Sequence, residues 1–243
     1  MTPLAWLILA SSFWILWCFA ASALLRGPRP SPLAGFIWWA MRAHARVVLR
    51  LRVHGREHIP APGPEGLIVV ANHSAGVDPL LVQIALPFEV RWIMASDMRV
   101  KALEPVWQWL RIIFVDRTGK AEPSSLRQAI RHVAAGGVLG IFPEGGIERP
   151  PRHLLTFQPG LGLLVRRTGA PVLPILIEGT PVTEDAWGSL FRRARASLTI
   201  MPPIRFTPSL KPDEIARDLR IRFQAWTGWP LADAPARPDA TYY

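Results

Sequence analysis

Short apolar segments alternate with helix-like segments through most of the chain, and this alternation is the strongest constraint on its fold. The strand-like segments are residues 66–71, 90–94, 112–115, 138–142 and 172–177. Continuous apolar runs of this length are typical of strands buried on both faces, and helical crossovers between such strands favour parallel pairing. The alternation therefore predicts an α/β fold, with a largely parallel central sheet flanked by helices. Residues 197–200 are a candidate outer strand.

An uncharged apolar run occupies residues 4–25, ahead of this alternation. As a helix it would be about 33 Å long, which is enough to cross a hydrocarbon core of about 30 Å. Arg26 and Arg29 follow the run, no Lys or Arg precedes it, and no clear small-residue cleavage site ends it. We therefore expect an uncleaved N-terminal membrane-anchoring helix whose positive flank keeps the following residues in the cytoplasm. The alternative is a buried core helix.

Residues 33–52 combine apolar side chains, including two neighbouring tryptophans, with Arg42, Arg46 and Arg50 at every fourth position. On a helix these three arginines form one stripe. A Trp-bearing apolar face beside an arginine stripe is typical of a helix that lies in a lipid interface. The alternative is a helix that packs on the domain and leaves its charges in solvent.

The charge and the cysteine content restrict the class of protein. The formal net charge is +10, and only three of the 28 basic residues are lysines. Such a charge suits an anionic membrane surface, nucleic acid or an acidic substrate. The tryptophans lie in the N-terminal run and in other apolar segments rather than alternating with basic residues, so we expect no nucleic-acid partner. The single cysteine, Cys18, leaves no disulfide framework and no zinc spacing.

A histidine and an aspartate follow the first predicted strand, in the stretch Asn72-His73-Ser74-Ala75-Gly76-Val77-Asp78-Pro79. Residues 80–86 begin a helix, so the pair lies on a strand-to-helix loop, at the edge where open α/β sheets bind ligands. An imidazole has an ordinary pKa of about 6.5, and it removes a hydroxyl proton best when a carboxylate orients it. The alternative is structural, because Asp78 followed by Pro79 is also the pattern of a helix N-cap.

Two other predicted strands end in polar residues. Asp116-Arg117 follows residues 112–115, and Glu144-Gly145-Gly146 follows residues 138–142 after Pro143. In a parallel sheet these ends share the edge of His73. An arginine fork matches a phosphate group, and a Gly-Gly turn lets backbone amides approach an anion closely. The alternatives are that Arg117 pairs with Asp116 or Glu144, and that the glycines form only a turn.

Four segments in this order resemble the four motifs of the glycerolipid acyltransferases, which acylate glycerol 3-phosphate or 1-acylglycerol 3-phosphate. They are Asn72-His73-x4-Asp78, Phe114-x2-Arg117, Phe142-Pro143-Glu144-Gly145 and Val172-Leu173-Pro174-Ile175. The segment Phe157-Gln158-Pro159-Gly160 resembles the one that usually follows the third motif. The resemblance covers roughly residues 50–205.

The resemblance implies catalytic roles for His73 and Asp78. His73 would take the proton from the acceptor hydroxyl, and Asp78 would orient and polarise it. No metal ion, cofactor or covalent acyl-enzyme is implied, since the acyl group comes from the thioester of acyl-CoA or acyl carrier protein. The candidate substrate-binding residues are Arg117, Glu144, Gly145, Gly146 and Arg149.

The third motif departs from the family pattern. The family commonly has Ser or Thr and then Arg after the motif glycine, whereas Gly146-Ile147-Glu148-Arg149 follow here. Arg149 is a candidate replacement for the displaced cation. We expect 1-acylglycerol 3-phosphate as the acceptor, with another lysolipid, such as a lyso-ornithine lipid or a lysophospholipid, as the alternative. The alternative from another class is a non-catalytic, membrane-tethered protein that binds anionic lipid.

These features divide the chain into four parts. Residues 1–30 are predicted to be a transmembrane anchor with a Pro/Arg flank, and residues 31–52 a basic amphipathic interfacial helix. Residues 53–229 are predicted to be an acyltransferase domain that faces the cytoplasm at the cytoplasmic (inner) membrane. Residues 230–243 are predicted to be a mobile tail rich in Pro and Ala.

Overall fold

The structure is a computed structural model of the 243-residue chain. It describes residues 2–25, 27–29, 31–61, 65–116, 123–183 and 186–232.

Helices and strands alternate through these residues as the sequence predicts. The helices are α1 (Pro3–Leu25), α2 (Pro32–Val47), α3 (Asp78–Ala85), α4 (Glu104–Trp109), α5 (Pro123–Ala134), α6 (Pro159–Thr168) and α7 (Pro212–Thr227). The strands are β1 (Arg52–His54), β2 (Leu67–Ala71), β3 (Arg91–Ala95), β4 (Ile113–Val115), β5 (Val138–Ile141), β6 (Val172–Glu178) and β7 (Ser197–Ile200). Every predicted strand is confirmed to within one residue at each end, whereas β1 is too short for its pattern to be recognised.

The strands form one seven-stranded sheet in the order β1-β7-β6-β2-β5-β3-β4. All neighbouring strands are parallel except β6 and β7, which are antiparallel. The predicted, largely parallel sheet is therefore confirmed. The edge at which β2, β3, β4, β5 and β6 end is called the His73 edge below, because His73 lies there.

Alternate side chains of the central strands enter two separate cores. Leu67, Val69 and Ala71 of β2 pack with α2 and α3, whereas Ile68 and Val70 pack with α5, α6 and α7. Burial on both faces explains why these strands have continuous apolar sequences rather than alternating ones. The domain therefore has three layers, with helices on each side of the sheet.

Helix α1 packs against α2 but leaves its large apolar side chains exposed. The two helices approach closely at their connection, where a Cβ on Gly27 would lie 3.2 Å from the Cα of Gly35. Among the described residues, α1 is the one helix long and apolar enough to cross a membrane, and none of that stretch is buried. The alternative of a buried core helix is therefore wrong. Insertion into a membrane stays a prediction.

Helix α2 ends at Val47, so the helix predicted over residues 33–52 is too long. Leu49 is fully buried, and its carbonyl accepts the N–H of Ala196 at 2.9 Å. Arg50 has a φ of 46°, which lies outside the α-helical range. The chain turns here to bring β1 beside β7, and Arg50 is not part of the predicted arginine stripe.

One face of α2 packs on the domain, which was the alternative to a helix lying in a lipid interface. The Arg42 guanidinium donates a long hydrogen bond of 3.4 Å to the Ile84 carbonyl and lies over the ring of Trp38. The other face exposes apolar side chains, namely those of Leu33, Phe36, Trp39 and Val47. Contact of that face with lipid stays a prediction.

The start of the predicted mobile tail is attached to the domain. The N–H of Leu154 donates to the Pro230 carbonyl, and the N–H of Ala232 donates to the Leu154 carbonyl, both at 3.0 Å. The boundary predicted at residue 230 is therefore too early. Residues 233–243 lie outside the described residues.

Gly162 of α6 lies against the start of α7, where a Cβ would overlap the carbonyl oxygen of Pro212. We expect Gly162→Ala to lower the free energy of unfolding by about 1–3 kcal/mol, because α7 must move away. Gly160→Ala is the matched control, since a Cβ at Gly160 would meet nothing within 4 Å. It should be neutral or stabilising by up to about 1 kcal/mol. Urea unfolding in detergent measures both variants, and equal stability would contradict the close packing of α6 on α7.

Candidate active site

His73 is fixed by its backbone as well as by its side chain. Its N–H donates to Oε1 of Glu144 at 3.0 Å, and its carbonyl accepts the N–H of Glu148 at 2.7 Å. Its ring Nδ1 lies 3.0 Å from Oδ2 of Asp78. The His73 side chain is 17% exposed, so a ring whose position is fixed by these contacts is still accessible to solvent.

Asp78 is the first residue of α3, but its carboxylate points back into the loop. Oδ2 accepts the N–H groups of Ser74 at 2.7 Å and Ala75 at 2.8 Å, in addition to facing the His73 ring. Helix α3 has no side-chain cap hydrogen bond, so the N-cap alternative for Asp78 is wrong. The side chain is fully buried, and its bonds fix the loop that carries His73.

This geometry sets the protonation of the His73 ring. An ionised carboxylate only accepts hydrogen bonds, so Nδ1 of His73 carries the proton that faces Asp78. The lone pair of the neutral imidazole then lies on Nε2. In the part of the chain that the structure describes, Nε2 takes no hydrogen bond. The arrangement therefore presents a base at the surface of the His73 edge.

Aromatic rings hold the plane of the imidazole. The His73 ring stacks on Phe142, with centroids 4.0 Å apart and an interplanar angle of 15°. Phe142 in turn stacks on Trp92, at 4.9 Å and 11°. Trp92 is in β3, and Phe142 directly follows the neighbouring strand β5. The stack therefore fixes the His73 ring relative to these two strands.

Asn72 is fully buried and extends the pairing of β2 with β6. Its Nδ2 donates to the Ile177 carbonyl, and its Oδ1 accepts the Ile177 N–H, both at 2.8 Å. The sequence prediction gave Asn72 no role. The sequence signal for such a role was a polar residue directly after a strand that is apolar throughout. A polar side chain is tolerated there only when it is hydrogen-bonded.

Glu144 is fully buried, and both of its oxygens are occupied by backbone groups. Oε1 accepts the His73 N–H, and Oε2 accepts the Leu155 N–H at 3.0 Å. Burial raises the pKa of Glu144 to about 8, although these two donors oppose the rise. The prediction that Glu144 contacts the substrate does not fit this burial, because no part of the side chain reaches solvent.

Glu148 is a third buried carboxyl group beside His73, after Asp78 and Glu144, and sequence reasoning gave it no role. Its Oε1 accepts the Arg152 N–H at 2.8 Å, whereas Oε2 has no hydrogen bond of acceptable geometry. Burial raises the pKa of Glu148 to about 7, and the charge of Asp78 acts in the same direction, while the Arg152 N–H and the Ser74 hydroxyl oppose it. The signal was a second glutamate four residues after Glu144 in a glycine-rich loop.

Gly145 and Gly146 form a turn at the His73 edge, next to Glu144. Gly145 has a φ of 74°, a value that favours glycine, and its N–H donates to the Phe142 carbonyl at 3.1 Å. Gly145 is exposed and Gly146 is buried. The turn alternative is therefore correct as a description of the backbone, and Gly145 alone of the two reaches solvent.

The two candidate arginines differ in what the structure shows. The Arg149 guanidinium donates to the carbonyls of Glu148 at 2.7 Å and Thr183 at 2.8 Å, so it ties two loops together. Arg117 lies outside the described residues. The strand before it, β4, ends at the His73 edge, three strand positions from β2, which is about 14 Å.

The fold and the oriented His73–Asp78 pair define an α/β protein with a base at the carboxyl edge of its sheet. The model of one family, described as Acyltransferase, matches residues 50–178. This is more than half of the chain, and the chain therefore belongs to the acyltransferase family.

Three curated relatives are similar to the chain. They are 1-acyl-sn-glycerol-3-phosphate acyltransferases from Mus musculus (the alpha enzyme, 25% identical over 181 residues), Bacillus subtilis (24% over 165 residues) and Limnanthes douglasii (26% over 160 residues). The matches cover 71%, 65% and 63% of this chain. They span 61% of the length of the mouse enzyme, 78% of the bacterial enzyme and 54% of the plant enzyme.

A solved structure shares the fold. The crystal structure of the 1-acyl-sn-glycerophosphate (LPA) acyltransferase PlsC from Thermotoga maritima superposes with a TM-score of 0.63 and 24% sequence identity. The match covers 79% of each chain. It confirms the α/β architecture described above.

Glu148→Gln tests the buried carboxyl group through the pH dependence of stability. The pKa of Glu148 is about 7 when folded, against an ordinary value of 4.5. Between these two values the folded state binds more protons than the unfolded state, so the wild type loses stability as pH rises. Gln keeps the Oε1 acceptor and does not ionise. We expect the variant to gain about 1–3 kcal/mol relative to wild type between about pH 5 and about pH 8.

Urea unfolding at a series of pH values measures this difference. Glu57→Gln is the matched control, because it makes the same substitution at an exposed position. A Glu148→Gln profile parallel to that of the wild type would contradict a buried, ionisation-sensitive Glu148.

Proposed function

We propose that the protein transfers a fatty acyl group from a thioester, acyl-CoA or acyl carrier protein, to the free hydroxyl of 1-acylglycerol 3-phosphate, giving phosphatidic acid. The observation that carries the proposal is the 3.0 Å contact between Nδ1 of His73 and Oδ2 of Asp78, which leaves Nε2 as the basic nitrogen of a partly exposed ring at the His73 edge. Membership of the acyltransferase family supports the reaction type. The names of the three relatives support this choice of acceptor.

The proposed chemistry is two proton transfers through His73, coupled to attack on a thioester and loss of its thiol. Nε2 of His73 takes the hydroxyl proton as the acceptor oxygen attacks the thioester carbonyl carbon, and Asp78 stabilises the imidazolium that forms. The C–S bond then breaks, and the imidazolium returns its proton to the departing thiolate. The products are the acylated lipid and a free thiol. The scheme uses no cofactor and forms no acyl-enzyme.

Glu144 and Glu148 act in this scheme as positioning residues. Each binds a backbone group of His73, Glu144 through its carboxylate and Glu148 through its own N–H. Holding a base within a few tenths of an ångström of its productive position avoids the entropic cost of orienting it during the reaction. For Glu144, this role replaces the predicted contact with the substrate.

The acceptor's phosphate is proposed to lie at the turn of Gly145 and Gly146, with Arg117 as its cation. Gly145 is exposed at the His73 edge, which lets the phosphate approach the backbone there. Arg149 would have to release two carbonyl groups to reach a phosphate, so we assign it to holding Glu148 and Thr183 in place.

The altered third motif favours one second candidate, the same reaction on another lysolipid. The positions after Gly145 hold Gly146, Ile147 and Glu148, and all three are buried. They provide neither a hydroxyl nor a guanidinium group to a phosphate. A head group with fewer charges than a phosphate monoester would need fewer such contacts.

The membrane location is also a proposal. Helix α1 leaves the stretch Pro3–Ser22 unburied, which suits insertion into a bilayer. With basic residues after the helix and none before it, the acyltransferase domain would face the cytoplasm at the cytoplasmic membrane.

Acyl transfer by the detergent-purified protein tests the function directly. Labelled acyl-CoA and acyl carrier protein are each supplied with a panel of lysolipids that includes lysophosphatidic acid. We expect transfer to lysophosphatidic acid, and a fall of about 10²–10⁴-fold in His73→Ala because the base is lost. His54→Ala is the matched control, since His54 ends β1 at the opposite edge of the sheet and should leave activity unchanged.

The panel separates the two candidate acceptors. His73-dependent transfer to another lysolipid only would keep the chemistry and overturn the acceptor. The absence of His73-dependent transfer to any acceptor, from protein shown to be folded, would contradict the enzymatic proposal and favour a lipid-binding protein.

A further inference from the structure

The loop between β6 and β7 presents an exposed, aromatic and basic surface at the His73 edge. Glu178 and Ser197 face each other in the antiparallel β6–β7 pair, so the loop leaves and re-enters the sheet at this edge. The exposed side chains, called the rim surface below, are those of Trp187, Phe191, Arg192, Arg193 and Arg195. None of these residues has a part in the proposed chemistry.

The rim surface is attached directly to the loop that carries His73. The N–H of Val77 donates to the Ser189 hydroxyl at 3.0 Å, and that hydroxyl donates to the Ala186 carbonyl at 2.7 Å. Gly76 packs against the same carbonyl so closely that a Cβ would overlap it. Whatever the rim surface contacts is therefore held in a fixed relation to His73.

The rim surface also adjoins the end of α2. Nε2 of His44 lies 2.8 Å from the Leu190 carbonyl, and the N–H of Ala194 donates to the Val48 carbonyl at 3.2 Å. Val47, just before this contact, exposes its side chain. The rim surface thus continues the exposed apolar face of α2 toward the His73 edge.

Phe191 is the most exposed large hydrophobic side chain in the described residues, at 81%. Three exposed arginines lie within four positions of this exposed aromatic ring, and one of them, Arg192, donates to the Val182 carbonyl at 3.1 Å. Aromatic rings with neighbouring arginines are typical of surfaces that enter a lipid interface, where the ring meets the acyl boundary and the guanidinium groups meet phosphates.

We propose that the rim surface docks on an anionic lipid bilayer. Phe191 enters the interface, the three arginines bind lipid phosphates, and His73 is thereby set at the depth of the acceptor's hydroxyl. This inference deepens the proposed function and rests on it for its catalytic consequence. The docking can be measured without turnover, so an experiment can contradict the docking and leave the proposed function intact, or the reverse.

A fluorescent label at the rim surface tests the docking. The full chain, with Cys18→Ala, receives Phe191→Cys, is labelled with the environment-sensitive dye NBD, and is reconstituted into bilayers of phosphatidylcholine with phosphatidylglycerol. We expect a blue-shifted emission that spin-labelled lipid quenches and aqueous iodide does not. The matched control is Ile221→Cys on α7, a half-exposed apolar position in the layer on the other side of the sheet. Its label should stay accessible to iodide.

Two outcomes would overturn the proposal. Equal iodide access at positions 191 and 221 would place the rim surface in water. Protection of the label only after acyl carrier protein is added, and not by the bilayer, would identify a protein-docking surface instead.

The catalytic consequence is tested by removing charge. We expect the double variant Arg192→Ser, Arg193→Ser to raise the apparent KM for lysophosphatidic acid in anionic vesicles about tenfold, with activity on a short-chain, water-soluble acceptor unchanged. Arg166→Ser, Arg167→Ser at the end of α6 is the matched control and should change neither value. Equal losses on vesicles and on the soluble acceptor would mean that the rim arginines support the fold rather than the membrane contact.

Discussion

Three buried carboxyl groups around one short loop are the interaction on which the site depends. Asp78, Glu144 and Glu148 all lie beside His73, and each accepts at least one backbone N–H group. Burying carboxyl groups is unfavourable unless hydrogen bonds replace the lost water, and those bonds exist only when the loops have their native shape. The pKa values of Glu144 and Glu148 are raised for the same reason. Burying these three carboxyl groups costs free energy of folding, and in return the loops around them hold the imidazole in a single position.

The strand order makes the cluster possible. His73 and Glu144 are 71 residues apart, yet β2 and β5 are neighbours and their carboxyl ends lie side by side. On its other side β2 pairs with β6, so Asn72 can bond Ile177 and the β6–β7 loop can reach Val77. The loop that carries the base is thus supported from both neighbouring strands. This is how the carboxyl ends of neighbouring parallel strands hold a precise site at one edge of the sheet.

The sequence was most informative where a residue's surroundings are local. Strands buried on both faces have continuous apolar sequences, and the spacing of His73 and Asp78 brings the two together within one loop, so both were predictable. The inward direction of the Glu144 side chain was not predictable. It depends on the backbone N–H groups of His73 and Leu155, which only the folded sheet brings close to Glu144. Glu148 escaped notice for the same reason. The end of α2 was missed because the arginine period continues to Arg50, whereas the burial of Leu49 against β7 decides where the helix stops.

The central claim is that Asp78 holds His73 as the tautomer with its proton on Nδ1 and a free lone pair on Nε2. Nitrogen-15 NMR of histidine-labelled protein in detergent measures this directly, with His73→Gln identifying the signals. The account predicts that the neutral His73 ring is protonated at Nδ1, and that Asp78→Asn shifts it toward the other tautomer. A His73 ring protonated at Nε2 in the wild type, or a tautomer unchanged by Asp78→Asn, would contradict the account.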